Sequence, residues 1–589
     1  MTANRDLRVW AAARGEDLAV DDRNTPEHIP VKTNKEGQGP GGEHPFLGGE
    51  GAIAKMEAHE GMRVALFASE ETFPELVNPV QMAFDTQGRL WVAAWPTYPH
   101  WTPKQPMNDK LLIFEDDDGD GRADRCKTFS GDLHNPTGFE FWGNGVFVAM
   151  TPDILYLEDT DGDDKADVRR TVLHGIRSAD THHSANSFVL DPGGVLYFGE
   201  GTFHRTQIET PHGLVRNRDG CIWRFEPRTW KLERYVAYNF ANPHGHAVDA
   251  WGQHFLHDGT GAVPFDATLF SGHLDFPHKH LRPPLLYDNR TRPCSGTTIL
   301  SSRHFPEDLQ GNLLVCNVIG FLGILQYRLA EKGASFAGTE VDPIVRSSDP
   351  NFRPSDVEVG PDGALYFTDW NNPLIGHMQH HLHDPSRDQR HGRVYRITYE
   401  GRPLATPSRI AGAPIEELLE LLREPDDRVR FRTRIELSRH AKGEVVDAAK
   451  KWAAALDATD PNYEKYLLEA LWIHQQHNVV DEKLLLRLLL SPNSRARAAA
   501  AQVLCRWRRR IPECAPSLRE TRVRRALAGS PRDGSRRQFF PLGRGRRNRS
   551  ELGRTRQRRL SRLHARRNLE SARSVLEKRA RRSWTSPGH

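Results

Sequence analysis

The sequence predicts a mainly β chain: a six-bladed β-propeller, then a HEAT-like α-solenoid segment, then a disordered basic C-terminal tail. Three observations carry this. A strand–turn–strand unit recurs six times between residues 82 and 370, at intervals of roughly 48 to 60 residues, a spacing typical of propeller blades. From about residue 413 the apolar period changes to three and four. Beyond 512 no period persists. The chain of 589 residues is long enough for several domains, and 38% apolar with 27% charged residues suits a soluble globular protein.

Residues 1–55 are rich in Gly, Pro and charge and read as an arm. The propeller is assigned to 56–402. Its recurring units are MAFDTQGRLWVAAW, GFEFWGNGVFVAM, SFVLDPGGVLYFGEG, HAVDAWGQHFLHDGTG, FPEDLQGNLLVCNV and DVEVGPDGALYFTDW. Each places Gly or Asn in a tight turn between alternating β-formers. A second unit follows most of them (LLIFEDD, ILYLEDT, CIWRFEP, GILQYRLAE, GRVYRITYE) and reads as the next strand of the blade.

Two acidic loops, EDDDGDGRADR at 115–125 and EDTDGDDKADV at 158–168, follow such strands in neighbouring blades. They read as hairpin tips, since no amphipathic helix flanks either one. Asp116, Asp118, Asp120 and Asp124, and again Asp159, Asp161, Asp163 and Asp167, stand at offsets 1, 3, 5 and 9 of a calcium loop. Gly121 takes the sharp turn in the first, and Asp164 replaces that glycine in the second. Position 12 is Lys127 or Arg170, so the bidentate acid is missing. The alternatives are weak structural calcium and a solvated acidic turn.

Residues 413–512 read as HEAT-type repeats, with Pro425, Pro461 and Pro492 opening helices after short turns. Residues 513–589 contain 22 Arg and 1 Lys against 6 acids, a net charge of +17, which leaves −13 for residues 1–512. Arg is nearly the only base used there. The composition predicts either a disordered tail or the product of a shifted reading frame, and no nucleic-acid partner is expected. The six cysteines form no CxxC or CxxCH, which argues against a zinc ribbon or attached haem and for buried thiols. No run of about 18 apolar residues predicts a membrane span, and the first 20 residues carry no signal-peptide core.

Histidines cluster in DTHHSANSF, FANPHGHAVD and GHMQHHLHDPSRDQRHGR. Imidazoles at one channel mouth can act as bases or ligands.

The unit HHSANSFVLDPGGVLYFGEG resembles the blade of glucose/sorbosone dehydrogenase-like propellers, quinoprotein sugar dehydrogenases that use pyrroloquinoline quinone (PQQ). NPVQMAFDTQGRLWVA, PCSGTTILSSRHFPEDLQGNLLV and FRPSDVEVGPDGALYFTDW extend the likeness. The sequence most resembles the planctomycete-type membrane-bound dehydrogenase domain proteins. Their longer members add HEAT repeats and a c-type haem domain, the latter missing here. The resemblance implies His183 as catalytic base and Asn242, Arg353 and His182 as cofactor contacts. The set is incomplete for PQQ: Ala241 and Ser355 stand where arginines are expected, and His182 where an Asp is expected. It further implies a sugar or alcohol substrate, a c-type cytochrome or haem partner, and the periplasm or cell envelope; with no signal-peptide core, the alternatives are that the protein stays inside or that the start of this sequence is truncated.

Three function classes follow. The first is an oxidoreductase of the sugar or alcohol dehydrogenase type. The second is a transition-metal propeller with His183, His244, His246 and His377 as ligands. The third is a non-catalytic propeller–solenoid scaffold.

Overall fold

The computed structural model describes residues 2–511, except 28, 100, 103, 104, 262, 268–272, 289, 290, 292, 293, 377 and 378. The Arg-rich tail from 513 and His377 therefore lie outside the described residues.

Six antiparallel sheets form the six blades of a β-propeller. The innermost strands, in chain order, are Pro79–Phe84, Phe139–Trp142, Asn186–Leu190, Pro243–Val248, Cys294–Ile299 and Pro354–Val359. The last packs on the first, and Gln81 couples the first two blades: its Nε2 donates to Phe139 O at 3.0 Å while its Oε1 accepts from Phe139 N at 3.1 Å. The six turns legible in the sequence all form. Gly88, Gly143, Gly194, Gly252, Gly311 and Gly363 each adopt a positive φ, which only a residue without Cβ does freely. Leu111–Ile113 and Ile154–Leu157 supply the third strands of blades 1 and 2, as their alternation requires.

Closure uses the chain's beginning. Met62–Ser69 pairs with Arg393–Tyr399 as the outer strand of blade 6, and Met56–Ala58 adds a fifth strand to blade 5. Residues 34–49 extend this tie. Lys35 Nζ donates to Pro373 O, Asn351 Nδ2 to Pro45 O, and Tyr395 Oη to Gly49 O.

The acidic loops are hairpin tips, between Asp109–Glu115 and Arg125–Leu133 and between Asp153–Glu158 and Val168–His174. Asp164 has φ 64, tolerated because a short polar side chain visits this region. Its carboxylate sits 2.6 Å from both Arg89 Nη1 and Lys127 Nζ of the preceding blade. An inter-blade ion pair thus replaces the expected glycine. Of the cysteines, Cys221 and Cys316 are buried, but Cys126 is half-buried and Cys505 exposed, so burial does not hold for all of them.

The helices are α1 (Thr2–Ala13), α2 (Gly49–Ile53), α3 (Ile415–Leu421), α4 (Asp427–Arg439), α5 (Lys442–Ala455), α6 (Tyr463–Gln476), α7 (Glu482–Leu489) and α8 (Ser494–Trp507). Helices α4, α6 and α8 each begin two residues after Pro425, Pro461 or Pro492. The apolar stretch 482–504 forms two helices, because Pro492 interrupts it. Residues up to Asp481 form one compact unit; from Glu482 on, α7 and α8 pack together in a second. No helix among the described residues is long and apolar enough to cross a membrane.

Within the first unit α4 lies across one end of the channel. At its start, Arg303 holds Asp426 at 3.0 Å and Arg428 Nε lies 2.6 Å from Glu358. At its end, Ser438 Oγ accepts from Gly143 N at 3.0 Å and Arg439 Nε donates to Gly143 O at 2.9 Å. Helix α4 thus spans from blades 5 and 6 to blade 2.

Candidate functional site

A cavity of about 620 Å³ occupies the channel, within the range of small-molecule sites. Its two ends differ. The end where inner strands begin is lined by His182, His183, Asn242, His244, Gln379 and His380, with Trp95 and Trp370. The other end is lined by Glu140, Asp356 and Glu358 together with Arg428, Phe431 and Arg432 of α4.

His183 ends a short 3-10 turn, Thr181–His183, capped by Asp180, whose carboxylate accepts from His182 N at 3.0 Å. The same carboxylate lies 3.2 Å from His183 Nδ1. His183 is buried. Two further imidazoles hold this turn by its carbonyls: His204 Nε2 donates to Asp180 O at 3.1 Å and His244 Nε2 to His182 O at 3.2 Å. Burial keeps both neutral, pushing His244 down to about 4 and His204 below its usual range. On the other side, Gly201 N donates to His183 O at 2.8 Å. A Cβ at Gly201 would lie 2.6 Å from Ala241 O, so this close approach requires glycine.

Asn242 reaches the same end. Its backbone N–H and that of Ala241 donate to Asp258, at 3.0 and 2.7 Å. Burial raises the Asp258 carboxyl above its usual value.

The structure thus brings His182, His183, Asn242 and His244 together. Arg353 is not among the cavity-lining residues. Its guanidinium donates to Phe352 O at 2.7 Å, and burial lowers it to about 10. His246 lines the channel but pairs with His254, Nε2 to Nδ1 at 2.9 Å, and burial holds it neutral. Among the described residues no three His, Cys, Asp or Glu ligand atoms converge in the channel, so His183, His244 and His246 do not bring their ring nitrogens together there, and His377 lies outside those residues. The groups that do converge are Asp116, Asp118 and Asp120, and Asp159, Asp161 and Asp167. Asp124, which accepts from Asp117 N, and Asp163, which accepts from Lys165 N, are not in these trios.

The donor set does not fit PQQ. A tricarboxylate needs cationic partners, yet Arg428 and Arg432, both at the α4 end, are the only Lys or Arg side chains lining the cavity among the described residues. Ser355 lines it where an arginine is expected, and its Oγ lies 2.6 Å from Pro79 O, tying blade 6 to blade 1.

Asp180, Phe203 and the α4 residues were not singled out by sequence patterns. Asp180 carries the one usable sign, an Asp three residues before a His in a turn-forming stretch.

No curated protein matches this chain. Among solved structures it is similar to the PQQ domain of pyranose dehydrogenase from Coprinopsis cinerea (12% identity, 58% of this chain and 97% of that one, TM-score 0.38). It is similar to the PQQ-bound aldose sugar dehydrogenase from Streptomyces coelicolor (13%, 58% and 100%, 0.34). The apo aldose sugar dehydrogenase from Escherichia coli is a third (16%, 57% and 99%, 0.32). A family model matches residues 49–283 and 285–401, which include every blade and every residue of the His183 turn, and the chain belongs to that family, described as Domain of unknown function (DUF7133).

Proposed function

We propose that the protein is an oxidoreductase of the sugar or alcohol dehydrogenase type that takes a hydroxylated small molecule at the His183 end of its channel. The observation that supports this is His183 in the cavity wall with the Asp180 carboxylate 3.2 Å from its Nδ1, outside the cavity lining. A carboxylate beside Nδ1 stabilises the imidazolium that forms when Nε2 takes a proton. His183 takes the hydroxyl proton while the adjacent C–H hydride leaves to an acceptor held in the same cavity. Onward transfer to a c-type haem partner belongs to the same proposal. His204 and His244 act as positioning residues, since they fix the turn that carries the base.

Dye reduction by purified protein tests this, with polyols and sugars as substrates and nicotinamide, flavin or quinone acceptors added in turn. His183→Ala is expected to lower turnover about 100-fold with an unchanged thermal midpoint. Turnover unaffected by that change, or none with any acceptor, contradicts the assignment.

We further propose that the two aspartate trios each hold Ca²⁺, and that the helices are HEAT-type pairs. The trios supply hard oxygen ligands within 4.8 Å of one another. Adding Ca²⁺ to chelator-treated protein is expected to raise the thermal midpoint by about 2–4 °C; an unmoved midpoint rejects the calcium reading.

A further inference from the structure

The His183 end of the channel carries two large apolar side chains that folding leaves in solvent. Phe203 is 54% exposed and Ile319 55%. Both line the cavity, from the loops after the second strands of blades 3 and 5. A single exposed apolar residue needs no explanation. Phe203 does, because its φ is 72. A side chain with a Cβ rarely adopts that conformation, and such strain persists only where the surroundings impose it.

The surroundings do impose it. Gly201 N is bonded to His183 O at 2.8 Å, Thr202 N to Ala241 O at 2.9 Å, and Asp219 N to His204 O at 2.9 Å. Phe203 N itself donates to Asp219 Oδ1 at 3.2 Å. The loop is therefore sewn to the turn carrying His183 and to the segment carrying Asn242. Its aromatic ring stands 5.6 Å, centroid to centroid, from the His183 imidazole. With more than half of Phe203 in solvent, core packing does not account for the strained placement. A partner for the ring that arrives with a ligand does.

Imidazoles, amides and hydroxyls line this end, and no Lys, Arg, Asp or Glu does among the described residues there. We propose that the mouth is a two-part site for an amphipathic ligand. A neutral hydroxylated head meets His183 and Asn242, and an aryl or alkyl tail lies against Phe203 and Ile319. Phe203 is the specificity-determining residue. This rests on the reading that the His183 end binds a hydroxylated small molecule, but it requires no turnover.

Calorimetric titration of the full chain tests it with two pairs of probes: glucose with phenyl β-D-glucoside, and glycerol with 3-phenoxy-1,2-propanediol. In at least one pair the aryl member is expected to bind about tenfold tighter than its parent. Phe203→Ala removes that preference without moving the thermal midpoint, and Phe203→Tyr retains it. Asp219→Ala, which loosens the backbone while keeping the ring, weakens it. Absence of aryl binding in both pairs, or an aryl preference unchanged in Phe203→Ala, overturns the proposal. Aryl binding that survives alongside absent dye reduction counts against the oxidoreductase assignment alone.

Discussion

Glu469→Ala is expected to destabilise the first unit by about 3–5 kcal/mol. Glu469 sits on α6 and is only 1% exposed. Its carboxylate lies 2.8 Å from Arg434 Nη1 and 3.3 Å from Arg430 Nε, both on α4. Burial already lowers Arg430 to about 10. Removing the acid takes the carboxylate from Arg434 in a dry interface, whereas Arg430 keeps Asp427 and the carbonyls of Glu424 and Pro425; neither guanidinium can shed its charge near neutral pH. The end of α3 offers a control. Arg423 and Glu420 pair at 3.3 Å but are largely exposed, so Glu420→Ala is expected to cost less than about 0.5 kcal/mol. Guanidinium denaturation followed by tryptophan fluorescence reads both, and equal costs for the two variants would refute the argument from burial.

Glu140→Gln is expected to make the protein more stable at pH 8 and to flatten its loss of stability with rising pH. Glu140 lies in the channel wall at the α4 end. Burial pushes its carboxyl from 4.5 up to about 8, and Arg428 offsets this only in part. Between those values the folded chain holds a proton that the unfolded chain has released. Each pH unit upward in that window therefore removes up to about 1.4 kcal/mol, on the order of 5 kcal/mol across it. Below pH 4.5 both states are protonated and the contribution is constant. Glutamine keeps the hydrogen bond from Phe141 N, 2.9 Å in the native protein, and carries no charge to desolvate. Asp356, raised to about 7 by burial, and Glu358, also raised, remain in the variant. The slope should thus be reduced rather than abolished. Denaturation midpoints at pH 5, 7 and 9 measure it; parallel pH profiles for both proteins would show that Glu140 is ionised in the fold.

The propeller was legible where its information is local. A turn glycine between two short β-runs specifies a hairpin wherever it occurs, and all six such turns form. The closing strand was not legible, because MRVALFAS pairs with RVYRITY more than 300 residues away, and no local pattern names a partner at that distance. Within the site, the histidine-rich stretch at 182–183 stood out by composition. What composition could not convey is that His204 and His244 serve the backbone of the 180–183 turn, or that His246 spends its ring on His254. The sealing role of α4 was equally hidden. Arg428, Phe431 and Arg432 read as an ordinary mixed helix face, and only the tertiary arrangement puts that face over the pore.

The α4 seal has a kinetic consequence. A pore stoppered at one end admits no through-flow, so whatever enters past Phe203 must depart by the route it came. Under the proposed function, a slowly departing product would act as a competitive inhibitor of the next arrival.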